Sequence, residues 1–370
     1  MSDVIRVLHV FGGLNRGGAE TMIMNRYRTI DRSRVQFDFI IHENEKQPFS
    51  DEIEALGGRI FSFPRFVGKN YFSIRRCWIK FFKEHPEYKI LHSHVRSYAS
   101  VYIPIAKKFG VKTIIHSHST SNGKGIRAVA KRMLQYPLRF QADRFMGCSD
   151  ESGRWLFGNR VVNGKRYVTL HNAIDVEKFS YNESLRLEYR RTLGLEGKTV
   201  YVHVGRLHPA KNHEFLIDLF ARIHKKHPES VLLCVGDGEL RSEIEERIEG
   251  YGIGSSVIMM GIRDDVDCIL SCADVFLFPS RWEGVPLSVV EAQASGLPCY
   301  VSDRVTDDVC VSSLAVRLPI DQGAEAWERA IESSRLVRAD ASEEISFAGY
   351  DVRKNTEWLE NYYIELAERT

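Results

Sequence analysis

Short apolar runs alternate with longer amphipathic segments along nearly the whole chain. The runs are rich in Val, Ile, Leu and Phe, as buried strands of parallel sheets are, and the segments between them have the apolar spacing of helices that pack on such sheets. This alternation predicts an α/β protein with doubly wound, Rossmann-like parallel sheets. Strands are predicted near residues 5–10, 35–41, 59–63, 89–94, 112–116, 144–148, 167–170, 199–204, 231–235, 257–260, 275–278, 298–302 and 314–318.

The length of the chain indicates two domains, because 370 residues exceed one ordinary hydrophobic core. A turn-rich stretch at residues 171–175 follows the seventh predicted strand, and we place the linker there. We therefore expect an N-terminal domain over residues 1–173 and a C-terminal domain over residues 174–351. A final amphipathic helix is expected from about Val352 to Glu368.

Two glutamates flank a predicted helix start in the segment Glu283-Gly-Val-Pro-Leu-Ser-Val-Val-Glu291. Pro286 favours the first turn of the helix, so one carboxylate precedes the helix and the other lies about one and a half turns inside it. Between them, the N–H groups of Leu287 and Ser288 lie at the positive end of the helix dipole, which favours an anion. Two carboxylates that can accept hydrogen bonds from hydroxyl groups, on either side of an anion site, indicate that the ligand is a nucleotide sugar. The alternative is a loop glutamate and a solvated helix glutamate.

A second motif, at residues 205–214, lies between a predicted strand and a helix expected to run to about His227. Arg206 and Lys211 fall in this loop, at the carboxyl end of a strand, where open α/β sheets bind their ligands. An arginine fork and a lysine point charge can both neutralise a diphosphate. By itself, such a basic loop is more often ordinary surface than a site.

Together the two motifs resemble those of the retaining glycosyltransferases of family 4, whose members have the two-domain GT-B fold and include enzymes of exopolysaccharide and capsule biosynthesis. The resemblance implies that Arg206 and Lys211 hold the donor diphosphate. It also implies that Glu291 binds the ribose hydroxyls and that Glu283 lies near the donor sugar. The nucleotide sugar is then a substrate, UDP-linked by family frequency, and neither a cofactor nor a metal ion is expected.

Further segments resemble the family in their positions. Arg263 lies in a strand-end loop, residues 261–265, of the kind that lies by the base in the family. The chain departs from the family at residues 302–306, where many members carry a pair of glycines. The GT-B resemblance also implies that residues 352–370 cross back and pack on the N-terminal domain, which would bind the acceptor, whereas the C-terminal domain would bind the nucleotide sugar.

A glycine-rich loop at residues 12–20 follows the first predicted strand. Its glycine spacing is not that of a dinucleotide-binding fingerprint, but Gly17 and Gly18 would permit close approach of a phosphate or sugar. The resemblance implies that this loop faces the donor. A turn whose glycines merely satisfy left-handed dihedral angles is an equal alternative.

Two histidine pairs, at residues 92–94 and 116–118, lie at the ends of predicted strands. Residues two apart on a strand point the same way, so each pair offers two imidazoles to one metal ion. We expect no metal site, because neither pair has a cysteine or a carboxylate cluster beside it. The resemblance implies that His118 contacts the donor sugar near the reacting carbon, and we expect a core or supporting role for His94.

Composition and hydropathy agree with a soluble protein, since 44% of the residues are hydrophobic and 27% are charged. The N-terminus does not resemble a signal peptide, and no apolar run approaches the ~20 residues of a membrane span. The seven cysteines are scattered, mostly in apolar segments, and are expected to be reduced thiols. We expect a cytoplasmic protein.

Charge is divided unevenly, with 29 Lys and Arg against 15 Asp and Glu in residues 1–175, and 22 against 34 in the remainder. Residues 55–142 hold 17 basic and only two acidic residues, interleaved with Phe72, Trp78, Phe81 and Phe82. This pattern favours peripheral contact with an anionic membrane on its inner face over nucleic acid, for which no binding motif is present. A core of aromatics with a solvated basic face is an equal alternative.

The sequence therefore predicts a retaining, metal-independent hexosyltransferase that moves a sugar to a hydroxyl of a glycan or lipid-linked glycan, in cell-surface polysaccharide biosynthesis. Arg206 and Lys211 would stabilise the leaving diphosphate, and Glu283 and His118 would position the sugar. A sugar-nucleotide epimerase of the same fold and a nucleotide-sugar-binding module without turnover are the alternatives. The four intact residues Arg206, Lys211, Glu283 and Glu291 argue against the second alternative.

Overall fold

A computed structural model describes residues 4–15, 17–43, 45–96, 98–119, 126–334 and 337–368. The chain forms two compact units, one of Met1–Ala173 with Val352–Thr370 and one of Ile174–Asp351. Each unit has a parallel sheet with helices packed against it. The predicted α/β class with two doubly wound sheets is confirmed.

The first sheet has the strand order β3-β2-β1-β4-β5-β6-β7, and each pair of neighbours is parallel. Its strands are β1 (Ile5–Val10), β2 (Val35–Ile41), β3 (Ile60–Ser62), β4 (Ile90–Ser93), β5 (Lys112–Ser117), β6 (Arg144–Gly147) and β7 (Tyr167–Thr169). The helices between them are α1 (Gly18–Thr29), α2 (Ser50–Ala55), α3 (Tyr71–Glu84), α4 (Ala99–Lys108), α5 (Ile126–Gln135), α6 (Leu138–Gln141), α7 (Asp150–Phe157) and α8 (Asn159–Val162).

The second sheet repeats this arrangement with the order β10-β9-β8-β11-β12-β13, again all parallel. Its strands are β8 (Thr199–Val204), β9 (Ser230–Val235), β10 (Val257–Gly261), β11 (Val275–Phe278), β12 (Cys299–Ser302) and β13 (Ala315–Leu318). The helices of this unit are α9 (Val176–Phe179), α10 (Glu183–Thr192), α11 (His213–Lys226), α12 (Arg241–Gly250), α13 (Val266–Cys272), α14 (Leu287–Ala294), α15 (Gly323–Ser333) and α16 (Ser342–Phe347).

The strand order determines where ligands can bind within each unit. In the first sheet β1 has β2 on one side and β4 on the other, and in the second sheet β8 lies likewise between β9 and β11. The chain reverses its winding at these pairs, so the loops beyond the carboxyl ends of the strands diverge and leave a crevice. The motif at residues 205–214 follows β8, and the glutamate motif follows β11.

The C-terminal helix α17 (Val352–Glu368) belongs to the first unit. Leu359 and Tyr363 are fully buried in a core cluster that also contains residues of β1, β2 and α1. The Tyr363 hydroxyl lies 2.6 Å from Nδ1 of His92, and Arg34 Nη1 of the first unit lies 2.5 Å from a carboxylate oxygen of Glu360. Helix α17 therefore completes the core on one side of the N-terminal sheet.

The aromatic residues of the basic segment divide between core and surface. Trp78, Phe81 and Phe82 of α3 are buried in the first unit, and only Phe72 of the four named aromatics is largely exposed. The alternative in which the aromatic side chains of this segment belong to the core is therefore correct for Trp78, Phe81 and Phe82. Within the described residues, we find no helix with both the length and the apolar composition required to cross a bilayer.

Substitution of Leu359 by alanine should destabilise the protein by about 2–5 kcal/mol, because the side chain is fully buried and its removal leaves a cavity. Urea denaturation monitored by circular dichroism measures the change. Glu357→Ala is the matched control, since Glu357 is exposed on the same helix. Equal unfolding midpoints for the two variants would contradict the packing described for α17.

Candidate donor site at the carboxyl ends of the second sheet

Three loops meet beyond the carboxyl ends of β8, β9 and β10. The N–H of Gly205 donates to the carbonyl of Val235 at 2.9 Å, and the N–H of Gly236 donates to the carbonyl of Gly261 at 2.8 Å. A third bond, from the N–H of Leu207 to the carbonyl of Asp237, measures 3.1 Å. These backbone bonds hold the loop that carries Arg206 and Lys211 against its neighbours.

Two glycines make this close approach possible. Gly236 has φ of 130°, and a Cβ atom there would lie 2.2 Å from the carbonyl oxygen of Gly205. A Cβ atom at Gly238 would lie 2.4 Å from the carbonyl oxygen of Leu207. Since both clashes are with backbone atoms, no side-chain movement relieves them.

Lys211 and Glu283 come together although they lie on different loops. Lys211 Nζ is 2.8 Å from a carboxylate oxygen of Glu283, and each side chain is 16% exposed. The ammonium group also lies 4.6 Å from the ring centroid of Phe278, at the end of β11. The ion pair therefore joins the two motifs that the sequence singled out.

Asn212 fixes the loop around Lys211. It has the left-handed conformation, with φ of 57° and ψ of 48°, and it is the only non-glycine residue with positive φ among those described. Its buried side-chain amide donates to the carbonyl of Pro279 at 3.1 Å, and the N–H of Arg281 donates to the carbonyl of Ala210 at 2.7 Å. Asparagine tolerates this backbone better than other non-glycine residues, so its position after Lys211 was an available sequence signal.

Arg206 lies at the exposed side of the same loop. Its guanidinium group is 3.1 Å from a carboxylate oxygen of Glu239, a residue that the sequence reasoning did not single out. Nothing in the spacing of these two residues predicts the contact, because Glu239 follows β9 and Arg206 follows β8. The exposed pair leaves the guanidinium group accessible to a ligand.

Leu287 and Ser288 begin α14, and Pro286 precedes the helix instead of occupying its first turn. Their N–H groups have no acceptor within the helix and lie at its positive end. Glu291 is one turn further along and is partly buried. Burial raises the pKa of Glu291 to about 7, while the charge of Lys178 opposes that rise.

Arg263 is engaged within its own loop. It donates to both carboxylate oxygens of Asp265, at 2.8 and 2.5 Å, and Tyr189 donates to the same carboxylate at 2.8 Å. These bonds, with that of Arg263 foremost, lower the pKa of Asp265 to about 2. Arg263 must leave this pair, or share it, to contact a ligand.

Gly17 and Gly18 lie in the first unit, at the start of α1. Gly17 has an extended backbone, with φ of −84° and ψ of 165°, so it does not require the left-handed region. A Cβ atom at Gly17 would lie 2.4 Å from a carboxylate oxygen of Glu20, whereas one at Gly18 would meet nothing within 4 Å. The alternative that the glycines of this loop serve only to adopt left-handed dihedral angles is therefore wrong for Gly17.

His118 also lies in the first unit, directly after β5, and it belongs to a cluster of histidines. Its Nε2 is 2.8 Å from Nδ1 of His94, which follows β4. Burial lowers the pKa of His118 to about 3, so the ring is neutral. His9 of β1 joins the cluster, a contact that spacing within one strand could not reveal.

The two doubly wound units, together with the family models that match both of them, identify the chain as a glycosyltransferase of the GT-B fold. The chain belongs to glycosyltransferase family 4. Residues 16–178 match the model described as Glycosyltransferase Family 4, and residues 186–334 match that described as Glycosyl transferases group 1.

Individual relatives agree with this assignment. The chain is 36% identical over 368 residues to the putative glycosyltransferase EpsF of Bacillus subtilis (strain 168). The aligned residues make up 97% of this chain and 96% of that protein. It is 27% identical over 281 residues to the UDP-Gal:alpha-D-GlcNAc-diphosphoundecaprenol alpha-1,3-galactosyltransferase of Escherichia coli, over 72% of each chain. Among solved structures, HepE of Anabaena in complex with UDP superposes with a TM-score of 0.77 at 18% identity, over 98% of this chain and 100% of that chain.

Replacement of Glu291 by glutamine should stabilise the protein at pH 8 by about 1–3 kcal/mol and have little effect at pH 5. The reason is that a carboxyl group whose folded pKa is raised binds its proton more tightly in the folded state, so stability declines as the pH rises from 4.5 to about 7. Urea denaturation at both pH values measures the difference.

The control for this substitution is Glu246→Gln, since Glu246 is exposed on α12. It should change stability by the same small amount at both pH values. A pH-independent effect of Glu291→Gln would show that the carboxyl group of Glu291 is not desolvated in the folded protein.

Proposed function

We propose that this glycosyltransferase transfers a sugar from a UDP-sugar to a hydroxyl of a glycan or lipid-linked glycan, with retention of anomeric configuration and without a metal ion. The observation that carries the proposal is the Lys211–Glu283 ion pair at the carboxyl edge of the second sheet. In this proposal Lys211 is the cation that neutralises the diphosphate, and Glu283 is the carboxylate that accepts hydrogen bonds from the sugar hydroxyls. Neither alternative, epimerase or binding module, is favoured by the relatives, which are named as transferases.

The relatives support the substrates proposed. The Escherichia coli relative is named for a UDP-Gal donor and a diphosphoundecaprenol-linked acceptor, and the CapH relative of Staphylococcus aureus for capsular polysaccharide biosynthesis. HepE binds UDP in its crystal. We therefore assign UDP to the donor and cell-surface polysaccharide biosynthesis to the pathway.

The chemical difficulty in this reaction is charge. The diphosphate gains negative charge as its bond to the anomeric carbon breaks, and the sugar becomes oxocarbenium-like. Arg206, Lys211 and the N–H groups of Leu287 and Ser288 would stabilise the leaving group, as preorganised donors do in other enzymes. Because these groups supply the positive charge, the proposal needs no metal ion.

The ion pair also suggests how the site responds to the donor. Without a ligand, Glu283 neutralises Lys211 in a partly buried position. A bound diphosphate would draw the ammonium group toward its oxygens and free the Glu283 carboxylate to accept hydrogen bonds from the sugar. Glu291 would accept from the ribose hydroxyls, and Arg263 would lie by the base. Retention follows if the acceptor attacks from the face that the diphosphate leaves, with a phosphate oxygen taking the hydroxyl proton.

Lys211→Ala and Arg206→Ala should each reduce turnover by roughly 10²–10³, the scale of removing one stabiliser of developing charge. Release of UDP from a panel of UDP-sugars, with lipid-linked glycan as acceptor, measures turnover. Lys225→Ala is the control, since Lys225 is exposed near the far end of α11. Turnover within threefold of wild type in either test variant would refute the diphosphate role of that residue.

We further propose that the first unit docks on the inner face of an anionic membrane through α5 and α6. Four apolar side chains are exposed there, Val129 (60%), Met133 (72%), Tyr136 (56%) and Phe140 (71%). Val129 and Met133 are one turn apart on α5, Tyr136 lies in the turn after it and Phe140 lies on α6, and we call these four side chains the apolar stripe. Lys131 and Arg132 are exposed in the same segment, and Arg139 lies 5.0 Å from the ring centroid of Tyr136.

The combination of an apolar stripe with basic flanks favours a lipid surface over nucleic acid, because nucleic acid would not require exposed Met and Val. Such a surface would bring the acceptor-binding unit to a lipid-linked glycan. The proposed surface lies within the basic segment of residues 55–142, on α5 and α6, whereas the exposed aromatic residues of α3 are Tyr71 and Phe72 at its start.

Binding to vesicles that contain anionic lipid should fall steeply between 0.1 and 1 M salt, as the Debye length shrinks from ~10 to ~3 Å. Met133→Ser with Phe140→Ser should weaken binding at low salt, and so should Lys131→Ala with Arg132→Ala. Phe347→Ser is the control, because Phe347 is even more exposed than Met133 and Phe140 but lies in the second unit. Sedimentation measures the bound fraction, and unchanged binding in both test variants would refute this surface.

A further inference from the structure

One carboxylate lies against the guanidinium group that is proposed to bind the diphosphate. Arg206 Nη2 is 3.1 Å from Oε2 of Glu239. Arg206 follows β8 and Glu239 follows β9, so the pair joins the loops of two neighbouring strands. Both side chains are exposed, at 69% for Arg206 and 47% for Glu239. A ligand can therefore reach the guanidinium group, but it meets the carboxylate there.

Backbone bonds hold the two loops in the register that makes this pair. The N–H of Leu207 donates to the carbonyl of Asp237 at 3.1 Å, and the N–H of Leu240 donates to the carbonyl of Leu207 at 3.2 Å. Leu207 is the neighbour of Arg206 in the chain, and Glu239 lies between the two residues that Leu207 bonds. The backbone itself therefore keeps Glu239 beside Arg206.

His208 is a second neighbour of the same carboxylate. Its Nδ1 accepts from the N–H of Ala210 at 3.1 Å, so in the neutral ring the proton is on Nε2. That nitrogen lies 3.7 Å from Oε1 of Glu239, whereas Arg206 contacts Oε2. The two oxygens of Glu239 thus have different neighbours. The carboxylate keeps an N–H group nearby when Arg206 turns to a ligand.

The carboxyl group of Glu239 is ionised at neutral pH. A hydrogen bond from its own backbone N–H lowers its pKa most, the charge of Arg206 lowers the pKa further, and partial desolvation opposes both. Exposed ion pairs of this kind contribute little to stability, because water and salt screen them. The pair can therefore open readily when a more highly charged anion arrives.

The competing interpretation is that Glu239 orients Arg206 for the diphosphate. The contact uses one guanidinium nitrogen of Arg206, whereas Arg263 donates to both carboxylate oxygens of Asp265 through two nitrogens. Two parallel bonds fix the plane of a guanidinium group, and a single bond does not. Glu239 therefore holds Arg206 loosely, which favours a competitor over an orienting group.

We propose that Glu239 is a positioning residue that competes with the diphosphate for Arg206 and so favours release of the nucleoside diphosphate product. This inference rests on the proposed function, in which Arg206 stabilises the leaving diphosphate. When the diphosphate binds, Arg206 either leaves Glu239 or is shared with it. Sharing brings two anions together, and their repulsion weakens binding.

The repulsion acts more strongly on the product than on the donor. In the nucleotide sugar the terminal phosphate is esterified to the sugar. After transfer that phosphate is free, and it carries additional negative charge at neutral pH. Because Coulomb repulsion grows with charge, Glu239 weakens the binding of the product more than that of the donor. The same carboxylate therefore admits the donor and helps to expel what remains of it.

Isothermal titration calorimetry of the full chain tests the proposal with UDP and with the UDP-sugar that the wild type turns over fastest in the panel above. Glu239→Gln keeps the size of the side chain and removes its charge. The Kd for UDP should fall about two- to fivefold, the scale of one exposed ion pair. The Kd for the UDP-sugar should fall by a smaller factor.

Glu243→Gln is the matched control for the loss of one negative charge. Glu243 is exposed in the first turn of α12 and forms no ion pair with Arg206 within the described residues. Its replacement should tighten UDP binding less than Glu239→Gln does. Equal tightening by the two variants would show a general effect of charge and would overturn the proposal.

A double-mutant cycle with Arg206→Ala tests whether Glu239 acts through Arg206. Because Arg206 brings the two anions together, the gain from Glu239→Gln should shrink when Arg206 is absent. A gain that is undiminished in the Arg206→Ala background would overturn the proposal. So would unchanged or weaker UDP binding in Glu239→Gln, or equal tightening of UDP and the UDP-sugar.

Steady-state kinetics give a second readout. In Glu239→Gln the inhibition constant of UDP should fall with its Kd, KM for the donor should fall less, and kcat should not increase. A merely structural role would lower kcat without tightening UDP. Absence of UDP binding by the wild type would refute the proposed function, whereas UDP binding that is indifferent to Glu239→Gln would refute only the role of Glu239.

Discussion

Parallel strand pairing is the constraint on which both units depend. Because β1 lies between β2 and β4, and β8 between β9 and β11, every loop after these strands leaves from the same edge of its sheet. Residues far apart in the chain then share one crevice, as Lys211 and Glu283 do. Backbone bonds from Gly205 and Gly236 join the loops that follow β8, β9 and β10.

Most of the ionisable groups singled out near these edges either form an ion pair with a group of opposite charge or are kept uncharged by burial. Lys211 and Glu283 offset each other's charge, and Arg263 is held by Asp265. In the first unit, burial lowers the pKa of His9, His94 and His118, because desolvation disfavours the imidazolium form. Glu291 differs, because burial holds its pKa near neutrality. Such groups can exchange partners with an anionic ligand at modest cost, because the ligand replaces an interaction that already exists.

Much of the fold followed from periodicity, since the strands predicted near residues 5–10, 199–204 and 275–278 begin and end where the structure has them. Local chemistry also placed both candidate motifs in loops at strand ends. The alternatives that the sequence left open depended on burial. The interleaved cations and aromatics around Trp78 fitted a membrane surface and a protein core equally, and the helix turns Trp78, Phe81 and Phe82 inward. Periodicity within that helix indicates an apolar face, but not which face of the sheet covers it.

By itself the sequence determined the alternation of strands and helices, the two-domain organisation and the family, because apolar spacing and short motifs are properties of neighbouring residues. Only the tertiary structure decided which side chains meet. Glu239 pairs with Arg206, and His9 reaches His94, because strand order and register bring separate segments together. The pKa of Glu291 likewise depends on burial and on the charges of Lys178 in α9 and Asp267 in α13, both more than 20 residues away in the chain. Such contacts leave no signature in local spacing, since they arise only when the sheet has formed.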